Sequence, residues 1–411
     1  MELQAQVVIV GGGIAGMSLA SALAQDGRTV AVLEASVEYA DRVRGEEMCP
    51  WGVAEARELG VLQTLLDADA RTTEAWVHYD SLVPTEVSLK NPIPVGLMLP
   101  EISGSLNLRH PDACAALARL AIDAGAQVIR GVSEVKITAG PSPRVLANGN
   151  AGEVVEIHPR LVVGADGRNS TVRRQSGIVL RQHEATHVIA GVLVDGLEDL
   201  DLDHDWLATS DDLFMASFRQ HHGQVRIYLV PGIEHKSRFG GPSGMSEFMR
   251  SANFACLPFG ERLAQANPIG PLATYPGDDT WTDIPYVEGV VLIGDAAGYN
   301  SPIIGQGLSI AMRDARSVRD ALRSGDPLSG AFAPYATERS ERSRRLRSAA
   351  IFMSAVTADD CPNRVARRAK FFELQQTEPL MMGLMGGLFA GPETAPPEAY
   401  DGTLLDSVLA A

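Results

Sequence analysis

Residues 6–10 (QVVIV) form a short β-branched run, residues 11–16 a glycine-rich turn, and residues 17–25 a stretch rich in Ala and Leu. A second β-branched run covers 29–33 and is followed by Glu34. Unbroken apolar runs of this length suit strands buried on both faces, and Ala and Leu favour helix. The chain therefore opens as a strand–helix–strand unit. The pattern PDACAALARLAIDA predicts a helix over 111–124, stopped by Gly125, with strands at 127–129 and 134–137. Residues 161–163 predict another buried strand. From about 180 to 276 the pattern changes to alternating segments such as 187–194 and 224–229, with Gly, Asp and His between them. That alternation predicts an antiparallel sheet with one wet face. A parallel-type strand returns at 289–293, followed by helices over 304–324 and 335–355, the second basic and amphipathic. From Pro392 the chain is rich in Pro, Glu and Gly and reads as a loosely packed extension. No internal repeat is visible.

The 411 residues allow two domains or one domain with a large inserted layer, and 45% apolar with 21% charged residues is an ordinary globular balance. The formal charge of −16 disfavours nucleic acid as a partner. The apolar run at 380–390 (LMMGLMGGLFA) is about half the length a membrane-spanning helix requires, and no secretory signal opens the chain, so a cytoplasmic protein without an integral membrane segment is expected. Cys49, Cys114, Cys256 and Cys361 are scattered, with no C-x-x-C pair. Neither a metal site nor a disulfide framework is expected.

The turn at 11–16 satisfies G-x-G-x-x-G between a strand and a helix. Gly11 permits the tight turn, Gly13 lets a pyrophosphate approach the backbone, and Gly16 lets helix and strand pack closely, with Ile14 and Ala15 at the helix start. The helix N-terminus offers free N–H groups and the positive dipole end to phosphates. Glu34, followed by Ala35, ends the second strand, where a carboxylate accepts from ribose hydroxyls. This context identifies a dinucleotide site without choosing between FAD and NAD. The second stretch is VVLIGDAAGYNSPIIGQG, residues 290–307. Gly294 and Asp295 stand at the carboxyl end of a parallel-type strand, where ligands of open α/β sheets bind. Asp295 can accept from ribityl hydroxyls, Pro302 stiffens the loop, and Gly305, Gln306 and Gly307 open a helix whose free N–H groups suit the anionic edge of a reduced flavin.

G-D-A-A-x-x-x-x-P-x-x-G-Q-G, taken with the first glycine motif, resembles the group A (single-component) flavoprotein monooxygenases of the para-hydroxybenzoate hydroxylase fold. Between the two lies Gly164-Ala165-Asp166-Gly167-Arg168-Asn169-Ser170, similar to that family's middle motif. The resemblance implies an α/β fold: a Rossmann-like FAD-binding domain (GR2 type) interleaved with a β-sheet substrate domain, plus C-terminal helices. Its pieces would be FAD-binding at 1–75, 106–179 and 279–330, substrate-domain strands at 76–105, a β-rich substrate domain at 180–278, and helices and tail at 331–411. It also implies that Asp166, Gly167 and Arg168 touch the FAD pyrophosphate side and the NAD(P)H route. Arg44 would reach the FAD, and Arg109 would stand near the ribityl chain. In such enzymes NAD(P)H, a transient co-substrate, reduces FAD, and O2 forms a flavin C4a-hydroperoxide. That species hydroxylates or epoxidises a small molecule, here expected to be an apolar aromatic, polyketide or alkene. A monomer or homodimer is expected.

Two departures matter. Gly298 stands where many members carry His after Gly-Asp-Ala-Ala. In Arg44-Gly45-Glu46-Glu47-Met48-Cys49-Pro50 the Gly-Glu and Pro elements are similar to a segment of geranylgeranyl reductases and flavin-dependent halogenases, which keeps a geranylgeranyl-reductase-like, flavin-dependent C=C reductase or dehydrogenase as the alternative. The halogenase W-x-W-x-I-P pair is absent. No acid/base pair or nucleophile triad stands out, so no residue is singled out as catalytic, which suits a cofactor that carries the chemistry. His187, Met215, Phe218, Arg226 and Tyr228 are candidate pocket residues in the β-rich block. Residues 380–390 and Cys49 read as core, and His221 and His222 as a solvated turn.

Overall fold

The computed structural model describes residues 4–149, 152, 154–200, 203–210 and 212–411. The unbroken apolar runs form a six-stranded sheet in the order Tyr286–Val287, Val290–Leu292, Leu161–Gly164, Val7–Val10, Val30–Glu34, Gln127–Arg130. All neighbours are parallel except the first pair. Strand alternation divides the side chains between two layers. Val7 and Ile9 face the helices Ile14–Gln25, His110–Asp123 and Gly307–Arg323. Val8 and Val10 face a small three-stranded sheet, Val132–Thr138, Arg144–Gly149 and Val154–Ile157. The register sets Val10 beside Gly164, and Gly164 beside Leu292. Three strands thus end level, and the loops opening at Gly11, Ala165 and Ile293 leave from one edge.

A second sheet contains Val188–Asp195, Val225–Val230, Phe214–Arg219, Asp205–Thr209 and Trp76–Asp80 in that order, with Asn267–Pro268 and Ala273–Pro276 on its outer side. It is antiparallel except where Asp205–Thr209 pairs with Trp76–Asp80. Among the described residues both faces of this sheet are covered, where the alternation predicts one wet face. One face carries Val192, Trp206, Met215 and Leu229 under Phe248, Phe254 and Phe259. The other carries Ile189, Phe214, Phe218 and Tyr228 against the C-terminal helices. The helices that cover it, Gly244–Ser251, Gly260–Ala264, Ala333–Thr357 and Pro379–Ala390, come from separate parts of the chain. Within 76–105 only Trp76–Asp80 enters this sheet. Thr85–Lys90 and Val95–Leu97 are helical turns, and Ser105–Asn107 joins a separate sheet with Glu47–Met48 and Arg71–Thr73.

Two C-terminal expectations are corrected. Ala333–Thr357 is not amphipathic, because its Arg339 and Arg342 point into the protein and are buried. The chain beyond Pro392 is packed, not loose: short turns lead into the helix Thr403–Leu409, and Ala399, Tyr400, Leu404 and Val408 are buried against Ala333–Thr357 and Pro379–Ala390. Among the described residues no helix is long and apolar enough to cross a membrane, and no His, Cys, Asp or Glu cluster could hold a metal.

Candidate functional site

A cavity of about 740 Å³ runs along the common edge of the strands and continues between the second sheet and the C-terminal helices. Gly11, Gly13, Ile14, Ala15, Glu34 and Ala35 line its first end. Gly11 has φ +105°, and a Cβ there would overlap the Ala165 carbonyl oxygen, so no other residue fits between the two strand ends. Gly16 lies outside the lining and packs against the Gly11 carbonyl. The open side of Gly13 leaves the start of Ile14–Gln25 accessible from the cavity. Glu34 is held in place: Oε2 accepts from Gly12 N–H at 2.6 Å, and Oε1 from Ser36 N–H at 2.7 Å. Tyr39 pins the same turn by donating to the Gly12 carbonyl at 2.6 Å.

Asp166, Gly167 and Arg168 form the next part of the wall. The Asp166 carboxylate accepts from Ser170 Oγ at 2.5 Å and from Thr171 and Val172 N–H at 2.6 and 3.2 Å. It shapes its own turn. Arg168 lies 4.2 Å above the Tyr299 ring, with Nε 3.5 Å from Asp295. Gly294, Asp295, Pro302, Gly305, Gln306 and Gly307 also line the cavity.

The loop that carries Gly294 and Asp295 is held from behind by a buried ion network. Gly294 N–H donates to Asp314 Oδ2 at 2.8 Å. Arg339 Nε donates to the same carboxylate at 2.9 Å, and its other nitrogens donate to the Ala297, Gly294 and Gly298 carbonyls at 3.1, 3.2 and 2.9 Å. Arg342 pairs with Asp314 Oδ1 at 2.7 Å. Burial opposes ionisation of Asp314, but the two guanidinium groups outweigh it and hold its carboxyl below the ordinary range. Gly298 has φ +114°, and a Cβ would stand 2.5 Å from the Thr280 carbonyl oxygen. A histidine has no room there, so the departure belongs to the loop's backbone. Gln306 is likewise an anchor: it accepts from Trp51 Nε1 at 2.8 Å and donates to the Ile304 and Leu388 carbonyls at 2.7 and 3.1 Å.

Beyond this loop the cavity becomes apolar, walled by Trp76, Phe214, Phe218, Met353, Leu388 and Phe389. Residues 380–390 therefore contribute to the chamber as well as to the core. Phe218 and Tyr228 line it as expected, but His187, Met215 and Arg226 do not. Met215 faces the opposite side of the sheet. His187 is buried among Ser301 Oγ at 3.2 Å and Ser354 Oγ at 3.1 Å. Arg226 bridges Asp41 and Glu46. Arg44 reaches the cavity, whereas Arg109 does not: its guanidinium is half-exposed and pairs with Asp112 at 3.4 Å, leaving neighbouring His110 in the wall. Burial drives the His110 imidazole down to about 4. Cys49 also lines the cavity, its thiol pushed well up by burial.

Glu46 stands out in the sequence only as part of the 44–50 segment, and neither Tyr275 nor the Asp314–Arg339–Arg342 network is singled out there. Asp314 did carry a signal. It lies on the same stripe of Gly307–Arg323 as Ile310, Ala311, Ala315 and Val318, and a carboxylate in an apolar stripe demands a buried cation. No comparable signal joined Glu46 to Tyr228, which meet only because the turn before Glu47–Met48 packs against the second sheet at Gly191. The donor set suits FAD: a close backbone approach at Gly11, an open helix start at Gly13, fixed carboxylates at Glu34 and Asp295, and a second open helix start at Gly307.

The comparisons agree with this geometry. A family model described as an FAD binding domain matches residues 4–350. Squalene monooxygenase of Rattus norvegicus is 25% identical over 339 residues, which cover 77% of this chain and 54% of that protein. The chain thus spans about half the length of the curated relatives first matched. A flavoprotein/dehydrogenase from Cytophaga hutchinsonii superposes with a TM-score of 0.78 at 14% identity, covering 99% of this chain and 100% of the other. PqsL, a probable FAD-dependent monooxygenase from Pseudomonas aeruginosa, gives 0.71 at 21% identity, covering 87% and 97%. At those identities the two structures speak for the fold alone. With the family match running from the first strand into the helix Ala333–Thr357, the chain belongs to the FAD binding domain family, in keeping with the group A flavoprotein monooxygenases its motifs resemble, and its cofactor is FAD.

Proposed function

We propose that the protein is an FAD-dependent monooxygenase that uses NAD(P)H and O2 to hydroxylate or epoxidise an apolar small molecule. The observation that carries this reading is the continuity of the cavity. One end is a dinucleotide cradle, the other an aromatic and aliphatic chamber, and the Gly294–Gly307 loops stand between them.

In this reading Gly11 and Gly13, with the first N–H groups of Ile14–Gln25, hold the pyrophosphate, and Glu34 accepts from the adenosine ribose. Asp295 accepts from the ribityl hydroxyls, while Arg168 balances its charge. The free N–H groups at the start of Gly307–Arg323 would stabilise negative charge on the flavin. Arg44, Asp166 and Gly167 border the nucleotide, Pro302 and Gly305 shape the loop, and Gln306 locks it. Arg109 is left to the surface. Bound FAD supplies the electron transfer from NAD(P)H to O2. The chamber walls orient the substrate and keep water away from the reacting oxygen. The Gly45–Glu47 segment in the cavity wall supports a second reading, a flavin-dependent C=C reductase, which would work without O2.

The purified protein should be yellow. NAD(P)H should bleach it under anaerobic conditions, and air should restore the colour. A protein that reduces an alkene anaerobically, and consumes no O2 with any apolar probe, would be a reductase.

A further inference from the structure

The dinucleotide cradle leaves Glu46 without a role, although this residue is almost completely buried and lines the cavity. Leu108 N–H fixes its main-chain carbonyl at 2.8 Å. Tyr228 O–H donates to its Oε2, and Arg226 Nε stands 3.3 Å from Oε1. Arg226 also donates to Asp41 Oδ2 at 2.6 Å. Tyr275, which lies under Arg168, borders Tyr228 on the cavity side. The neighbouring Glu47 instead interacts with Ser105, Asp205 and Cys49.

The charge balance of this group is informative. Asp41 alone neutralises Arg226. Ionised Glu46 therefore gives the trio a net negative charge, while protonated Glu46 leaves it neutral. A glutamate needed only to pair Arg226 would be redundant. Glu46 can gain and lose a proton without ever stranding a buried cation, and Tyr228 is placed to stabilise the ionised form. Burial raises the carboxyl to about 7, with Arg226 and Tyr228 pulling it down and Asp41 pushing it up.

We propose that Glu46 is the proton donor of the chamber, with Tyr228 and Arg226 as its positioning residues. The inference rests on the monooxygenase reading. In the oxidative half-reaction, the reduced flavin anion, O2, substrate and one proton give oxidised flavin, oxygenated substrate and water. The O–O bond breaks, one oxygen atom enters a substrate C–H bond or closes across its C=C bond at the expense of the π bond, and the electron pair that completes the other oxygen as water comes from the flavin. One hydrogen of the water comes from the reduced flavin. The other is not supplied by the hydride and must enter from outside. Glu46 gives it and is reprotonated from solvent before the next turnover. Without substrate the same proton is taken up to make H2O2, so the step can be measured without knowing the substrate.

The test mixes dithionite-reduced holoprotein with O2 across a pH series. Wild-type reoxidation should slow as pH rises through about 7. Glu46→Gln should be slower by on the order of a hundredfold and nearly pH-independent, while Glu46→Asp should retain a pH break. Infrared titration of the FAD-free protein should show a carboxyl band near neutrality that Glu46→Gln removes. If Glu46→Gln does not fold, Tyr228→Phe takes its place: losing that hydrogen bond should move the break to higher pH. A folded Glu46→Gln that reoxidises at the wild-type rate with the same pH profile overturns the proposal, as does a Tyr228→Phe break that does not move. Failure of the monooxygenase reading looks different: proton uptake persists, but H2O2 is the sole oxygen product with every apolar probe.

Discussion

Replacing Asp314 with alanine tests the network that supports the flavin loop. The carboxylate accepts from Gly294 N–H, Arg339 and Arg342, and all three side chains are buried. Arg342 would keep Glu338 at 2.9 Å. The partners left to Arg339 would be the carbonyl oxygens of Gly294, Ala297 and Gly298. Breaking a buried pair from one side costs about 3–5 kcal/mol, because it leaves an uncompensated charge. For a chain of this size, an unfolding entropy of about 2 cal/mol/K per residue converts that into a fall in Tm of roughly 3–6 °C. The loop that carries Asp295 loses an anchor at the same time, so bound FAD should fall as well. Circular-dichroism melting and the ratio of flavin to protein absorbance, measured on one preparation, read both effects. Asp314→Ala with an unchanged Tm and a full complement of FAD would refute the network argument.

Gly298→Ala combines a positive φ with contact to the Thr280 carbonyl, and should cost about 1–3 kcal/mol in denaturant titration as well as flavin occupancy. Asp295→Ala should lose most bound FAD, and Arg44→Ala part of it, whereas Arg109→Ala should retain it, as absorbance after gel filtration will show. Stability should fall as pH rises from about 6.5 to 8. Burial raises Glu46 to about 7 and Glu47 to about 8, so the folded chain holds protons that the unfolded chain has released above the ordinary 4.5. The buried histidines His78, His110 and His187, each near 4, work in the opposite direction below 6.5 and are silent above it. Between pH 6.5 and 8 the loss approaches 1.4 kcal/mol per pH unit for each glutamate still protonated, and Glu47→Gln should flatten that slope in pH-dependent melting.

The nucleotide half of the molecule was legible because its signals are local. Unbroken apolar strands, the 11–16 turn and the 294–307 loop each fit within twenty residues, and the parallel register then brings their ends level. The chamber was less legible because its walls come from distant segments. Trp76, Phe218 and Phe389 meet across more than 300 positions of sequence, in T-shaped and tilted ring contacts. Alternation in 187–194 was read as one wet face because the covering helices cannot be seen from the strand itself. A basic amphipathic helix is read over 335–355 for a similar reason: Asp314, the partner of Arg339 and Arg342, lies on another helix. Arg109 shows the reverse case. A residue that suits phosphate chemistry stood next to the cavity in sequence, but the turn into His110–Asp123 directs His110 inward and Arg109 to solvent.

In the proposed function, electrons from NAD(P)H and oxygen from O2 meet an apolar substrate in this cavity. Incubating the purified protein with NAD(P)H, isotopically heavy O2 and a panel of apolar alkenes and aromatics, then weighing the products, tests it most directly. A monooxygenase gives an NAD(P)H-dependent product that carries one heavy oxygen atom. Unlabelled product, or a saturated product formed equally well without O2, would contradict it.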